Sequence, residues 1–161
     1  MNMRKIIELR ESKFVMYDIL DKMIERIIEQ EKAELKKHIY DINTDHGKKS
    51  DERIFNIIDE GKDFITIEFK ADKVNVRKDG LSALGVVVTN EDDGVSITLT
   101  HFTHDHHIYL RGAYSFGSIK AEGDEVVCDV TFAFYKKKLY EIALDKLKKE
   151  LKYAVISQSV R

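Results

Sequence analysis

The chain has 161 residues, with no proline and one cysteine. Proline averages about 5% of residues in ordinary proteins, and its absence leaves chain reversals to be found at glycine, asparagine and aspartate. A single cysteine, Cys128, excludes an intramolecular disulfide. It stands on the apolar side of an alternating segment, where a free cysteine is a core residue rather than a reactive thiolate. No apolar run approaches the roughly 18 to 20 residues that a membrane span needs. The opening MNMRKIIELRESK breaks into charges before a signal-peptide core develops. A reduced, cytoplasmic protein with no membrane partner is the expectation. The chain also lacks a Gly-x-Ser-x-Gly elbow, a phosphate-binding Gly-x-x-x-x-Gly-Lys-Ser/Thr loop and a dinucleotide fingerprint.

What is present suits one folded domain. Hydrophobic residues make up 43% and charged residues 35%, which provides both a core and a well-solvated surface. A chain of this length can build that core without staples. The net charge of -2 hides segregation: residues 1–38 sum to +1, residues 39–135 to -8 and residues 136–161 to +5. The acidic middle repels phosphates and argues against nucleic-acid binding. An acidic region beside a basic segment suits complementarity within or between subunits.

From Arg4 to Ile39, apolar residues recur at helical spacing (Ile6, Leu9, Phe14, Tyr17, Leu20, Ile24, Ile27, Ile28, Leu35) with charges between them. A helix over that stretch, with a break considered at Ser12, is roughly 54 Å long and exceeds the width of a domain of this size. Either it bends or part of it packs on another subunit. A polar connection follows. Ser50 then reads as an N-cap, with Asp51 and Glu52 in the first turn, Ile54, Phe55, Ile57 and Ile58 as a buried face and Gly61 as the stop of a short second helix.

From Asp63 the period changes to two. Six strands are expected: one through Ile65, Ile67 and Phe69, one over Lys73–Arg77, and one through Leu84, Val86 and Val88. The others cover Val95–Phe102, Ile108–Tyr114 with a bend or bulge at Gly112 or Gly117, and Val126–Phe134. Their short connections favour an antiparallel meander. A C-terminal helix over Lys137–Ile156 carries the stripe Leu139, Ala143, Leu147, Leu151 and Ala154, with Lys146, Lys148, Lys149 and Lys152 mostly off it. The expected fold is a single α+β domain over 1–161, with a curved antiparallel meander of about six strands. Its parts are a helical region at 1–62, the sheet at 63–136 and the C-terminal helix at 137–156.

Candidate chemistry is concentrated in VSITLTHFTHDHHIYL, read as a strand, a histidine-dense turn and a second strand. His101, His104, His106 and His107, with Asp105 as a further ligand or base, form a candidate site for a transition metal such as zinc. Such a site usually draws a ligand from a distant part of the chain, and only His38, His46 and scattered carboxylates are available. His101-Phe102-Thr103 is one half of the paired His-x-Thr arrangement of two-histidine phosphoesterases, but no second His-x-Ser/Thr exists to complete it.

With no complete catalytic constellation, the expectation is a small non-enzymatic binding protein of the regulator, inhibitor, immunity or assembly-chaperone kind. It would act through protein contacts as a homo-oligomer, with Leu20, Ile24, Ile27, Lys146 and Lys149 as candidate interaction residues. The alternatives are a metal-dependent hydrolase or metal-binding regulator built on the histidines, and a carrier of a small apolar ligand enclosed by the curved sheet.

Overall fold

Backbone groups that cannot reach water need partners, and the arrangement of helices and strands answers that requirement. The computed structural model describes residues 3–46, 55–71, 74–77, 79–83, 85–101, 104–123 and 125–159. Among them the elements run α1 (Met3–His46), β1 (Asn56–Glu60), β2 (Phe64–Ala71), β3 (Val74–Arg77), β4 (Gly80–Ala83), β5 (Val86–Glu91), β6 (Gly94–His101), β7 (His104–Arg111), β8 (Ala113–Glu122), β9 (Glu125–Phe134) and α2 (Lys136–Ser159). The fold is α+β with antiparallel sheets. The chain divides into two compact units, one of Met1–Ile27 with Lys136–Arg161 and one of Ile28–Tyr135.

The larger unit holds all the described strands and the second half of α1. Ile28, Leu35, Ile39 and Ile42 form one helical stripe, each no more than 3% exposed. Burying such side chains contributes about 1.5–3 kcal/mol apiece. The residues beside the stripe reach out on both flanks. On one flank Lys32 Nζ donates to Gly61 O at 2.9 Å and Lys36 Nζ to Glu60 Oε1 at 2.7 Å. The Asn43 carboxamide on that flank pairs with the backbone of Phe55, donating to its carbonyl at 2.8 Å and accepting from its N–H at 3.2 Å. On the other flank Glu31 and His38 reach β7. This half of α1 therefore contacts β1, the edge of one sheet, and β7, the edge of the other.

The strands form two sheets rather than the single meander of about six strands expected from sequence. One has the order β1-β2-β9-β8, the other β3-β4-β5-β6-β7, and every pair is antiparallel. The physical reason for the division lies at Gly112, whose φ of 71° is a conformation that glycine adopts without penalty. This one residue separates β7 from β8, so the stretch Ile108–Tyr114 is not one bent strand but two strands in different sheets. Gly112 N–H donates to Asp93 O at 2.7 Å and its carbonyl accepts from Tyr135 N–H at 2.9 Å, which fixes the corner. β8 then lies against β4, β5 and β6.

The Asn90 side chain closes the junction between sheets. Its Oδ1 accepts from Ser115 N–H at 2.8 Å and from Ser115 Oγ at 2.7 Å, while its Nδ2 donates to Ser115 O at 3.1 Å. An edge strand offers unpaired backbone groups, and here the carboxamide substitutes for a neighbouring strand. The core faces follow the expected period of two. Ile65, Ile67 and Phe69 on β2 stand opposite Phe132, Val130 and Cys128 on β9, and all six are buried. Val86 and Val88, then Val95, Ile97 and Leu99, then Ile108 and Leu110 continue the pattern in the second sheet.

The expected short second helix is a second correction. Asn56–Glu60 is strand β1, and Gly61 N–H donates to Phe64 O at 3.1 Å, so the glycine closes a hairpin rather than a helix. Ile57 and Ile58 are 40% and 47% exposed, whereas Phe55 is buried. Pairing with β2 supplies the backbone partners that a short isolated helix would lack. Ser50, Asp51, Glu52 and Ile54 lie outside the described residues, as do Lys73, Leu84 and Phe102.

The smaller unit comprises the first part of α1, continuous through Ser12, and α2. Its buried apolar residues include Leu20, Ile24, Leu139 and Ala143. Tyr140 Oη donates to Asp21 Oδ1 at 2.7 Å, a bond that holds the phenol above its ordinary pKa.

Replacing Asn90 by alanine removes three hydrogen bonds and leaves the Ser115 backbone unpaired. The expected cost is about 1–3 kcal/mol in urea denaturation. Ser96→Ala, which removes only the exposed bond to Glu91 Oε1, is expected to cost a few tenths of that. Equal effects of the two substitutions would contradict the clamp.

Candidate functional site

The register of β6 against β7 decides which histidines can act together. His101 stands opposite His104, Thr100 opposite Asp105, Leu99 opposite His106 and Thr98 opposite His107. Successive strand residues point to opposite faces. His104 and His106 therefore share the face of the buried Ile108 and Leu110, while Asp105 and His107 lie on the other. The expected histidine-rich turn is thus corrected: His104–His107 open a strand, because each pairs with a residue of β6. On the outer face Thr100 Oγ1 donates to Asp105 Oδ1 at 2.7 Å, and Thr98 Oγ1 lies 3.3 Å from His107 Nδ1. Four of the expected ligands, His104 and His106 against Asp105 and His107, are thus divided between the two faces of one sheet.

The inner face brings in a partner from far along the chain. His38, on α1, places its Nδ1 2.9 Å from the Nδ1 of His106. The ring centroids are 5.2 Å apart and the planes make an angle of 86°. That centroid separation equals the nitrogen-to-nitrogen distance plus a ring radius at each end, so the two nitrogens meet head-on with one proton between them. On the far side of the His38 ring, Nε2 lies 3.2 Å from Glu34 Oε1, one helical turn earlier. A carboxylate there accepts from Nε2–H. In neutral His38 this leaves the Nδ1 lone pair directed at His106.

The same flank carries Glu31. Its Oε2 accepts from Arg111 N–H at 3.2 Å, and Oε1 lies 3.9 Å from Arg111 Nε. Burial pushes the Glu31 carboxyl above the ordinary glutamate range, more strongly than Arg111 lowers it, and Glu34 adds to the rise. Across the helix Glu60 behaves in the opposite way: the hydrogen bond from Lys36, helped by Lys32, holds it below the ordinary range.

Other candidate residues are placed as follows. Cys128 is buried in the core, and burial, reinforced by Asp129, pushes its thiol up, which suits an unreactive packing residue. Of the candidate interaction residues, Leu20 and Ile24 are buried, Ile27 is half-buried, and Lys146 and Lys149 are exposed, Lys149 pairing with Asp145 at 3.1 Å. Sequence periodicity did not single out the large apolar residues left in solvent. They include Tyr17, Ile19 and Tyr40 on α1, Leu151 on α2, and Tyr114, Phe116 and Tyr135 at the first sheet. Tyr17 and Leu151 read as members of the buried stripe because spacing identifies a face without identifying what covers it.

Among the described residues no helix is long and apolar enough to cross a membrane. No three His, Cys, Asp or Glu side chains among those residues are already gathered as a metal-binding group. Searches of protein-family models, curated proteins and solved structures found no match to the chain.

The two flanks of α1 are expected to titrate with opposite sign. Glu31 binds its proton more tightly in the folded state, so its contribution to stability falls as pH rises from the ordinary glutamate range through its raised value. Glu31→Gln, which keeps an acceptor for Arg111, should abolish that fall and match or exceed wild-type stability at neutral pH. Glu60 contributes stability above the ordinary range and loses it as pH falls through its lowered value. Glu60→Gln should remove that contribution, up to about 1 kcal/mol at so exposed a site. Urea midpoints measured from pH 3 to pH 8 check both signs.

Proposed function

We propose that this chain is a non-enzymatic binding protein that acts through protein contacts and self-associates through its two-helix unit. The observation that carries this reading is the composition of that unit. Among its described residues, α1 up to Ile27 and α2 are the only elements, and Tyr17, Ile19 and Leu151 are left 51%, 42% and 54% exposed. Two helices can cover only one stripe of each other, and apolar groups on the remaining faces stay in water until another surface covers them. A second copy would turn two helices into four, an arrangement in which every helix has neighbours around a shared core.

Charge supports a protein partner over a nucleic acid. The exposed lysines of α2, Lys146, Lys148, Lys149 and Lys152, belong to a segment of +5, while the region that contains the strands carries -8. Opposite charges on different parts of one chain favour head-to-tail or paired association and weaken attraction to phosphates. Among the described residues, the burial of Cys128 and the division of the β7 histidines between two faces support a binding role over a nucleophile-and-base pair.

The test is sedimentation velocity of untagged protein beside Ile19→Lys and Leu151→Lys, with far-UV circular dichroism as the control for folding. The wild type is expected to sediment as a dimer or larger species. Each substitution should shift the population to monomer with helicity retained. A wild type that is monomeric at every concentration, or variants that keep the wild-type mass, would overturn the reading.

A further inference from the structure

The cluster formed by His38, His106 and Glu34 lies within the larger unit and has no part in the helical contacts just described. We infer that it is a transition-metal site: His38 and His106 are its Nδ1 ligands, His104 is the third ligand, and Glu34 holds His38 in the ligating tautomer.

Three observations bear on this inference. First, two imidazole nitrogens from separate elements, α1 and β7, already point at one another across 2.9 Å. Convergence of this kind from distant parts of the chain was the feature missing from the local histidine cluster. Second, Glu34 Oε1 stands 3.2 Å from His38 Nε2. A carboxylate on the non-ligating nitrogen is the usual partner of a metal-bound histidine, since it fixes the ring and directs the other lone pair at the ion. Third, strand parity puts His104 on the same face as His106, two residues away, with an exposed side chain that can turn toward the pair. Asp105 and His107 are on the opposite face, held by Thr100 and Thr98.

Zinc–nitrogen bonds of about 2.0–2.1 Å at tetrahedral angles hold two nitrogens about 3.3 Å apart, with the ion about 35° off the line that joins them. Entry of the ion therefore spreads the two Nδ1 atoms by a few tenths of an ångström and swings each ring away from the head-on line, a side-chain rotation that leaves the backbone in place. The proton on His106 Nδ1 leaves as the metal takes its place and Nε2 of the same ring takes one up from solvent, so that both imidazoles ligate in the neutral form. Three histidines and one open position suit Zn²⁺ and Co²⁺ better than Mg²⁺ or Ca²⁺, which prefer oxygen ligands. The open position accepts water or an outside ligand.

The test is titration of the untagged, metal-stripped full chain with Zn²⁺ in competition with a chromophoric chelator, followed by Co²⁺ with its visible absorption read for tetrahedral coordination. One ion per chain is expected, with an intense tetrahedral Co²⁺ band. His38→Gln and His106→Gln should each weaken Zn²⁺ binding at least tenfold and abolish the band. His104→Gln should weaken binding too, and Glu34→Gln should cost about 10- to 100-fold while leaving all three ligands in place. His107→Gln, on the outer face, should bind as the wild type does. Circular dichroism and thermal melting of every variant check that the fold survives, and Glu34→Gln removes only an exposed contact. A wild type that binds no Zn²⁺, binding that survives His38→Gln, or an equal loss on His107→Gln would overturn the site. The stoichiometry is read per chain, so these outcomes do not depend on whether the protein self-associates.

Discussion

The seating of Ile28, Leu35, Ile39 and Ile42 of α1 against the sheets of its unit is the constraint on which the remaining features depend. Each side chain is nearly inaccessible to water, and the hydrophobic effect of burying a Leu or Ile is larger than any single polar contact on the flanks. Once the stripe is buried, the helix cannot rotate, and the positions beside it are fixed. Lys32, Lys36 and Asn43 then meet β1 and Phe55, and Glu31 and His38 meet β7. The polar contacts specify where along each sheet edge the helix lies; the apolar stripe holds it there.

The sheets satisfy the same need by different means. Their edge strands are covered at particular points rather than along their whole length. Asn90 pairs with the backbone of Ser115, and Gly112 turns the chain from one sheet to the other while bonding to Asp93 and Tyr135. A corner built on one residue of positive φ depends on glycine there. It also sets the direction in which β7 presents its inner face to α1, and through that face the position of His106. The meeting of two histidines 68 residues apart follows from packing rather than from any local motif.

Much of the fold was legible in the sequence because periodicity reports faces. The alternation in Ile65–Phe69 and Val126–Phe134 identified two core strands, though not that they pair with each other, and helical spacing identified α1 and α2. Less legible was anything decided between elements. Gly112 reads as a bend in one strand because the sequence does not record that the next strand changes sheets. Ile57 and Ile58 read as a helical face because four apolar residues in five positions fit either period, and pairing with β2 decided for the strand. For the histidines, parity placed His104 and His106 on one face once the strand began at His104 rather than in a turn. His38 carried no local signal. Its role comes from its place on the flank of a stripe whose docking partner lies far along the chain. It stood in the sequence only as one of two further histidines available as a distant ligand, with Glu34 one turn away in an i,i+4 pair of ordinary appearance.

In the smaller unit Leu20, Ile24, Leu139 and Ala143 are enclosed, whereas Tyr17, Ile19 and Leu151 are open to water. Self-association would cover those three side chains, and it should be visible without any substitution. The most direct measurement is amide hydrogen exchange of the untagged chain at low and high protein concentration. Protection that rises with concentration in α1 from Tyr17 to Ile27 and in α2 from Lys136 to Leu151, with the strands unchanged, is the expected result. Exchange in both helices that is independent of concentration, or a concentration effect confined to the sheets, would contradict association through the helical unit.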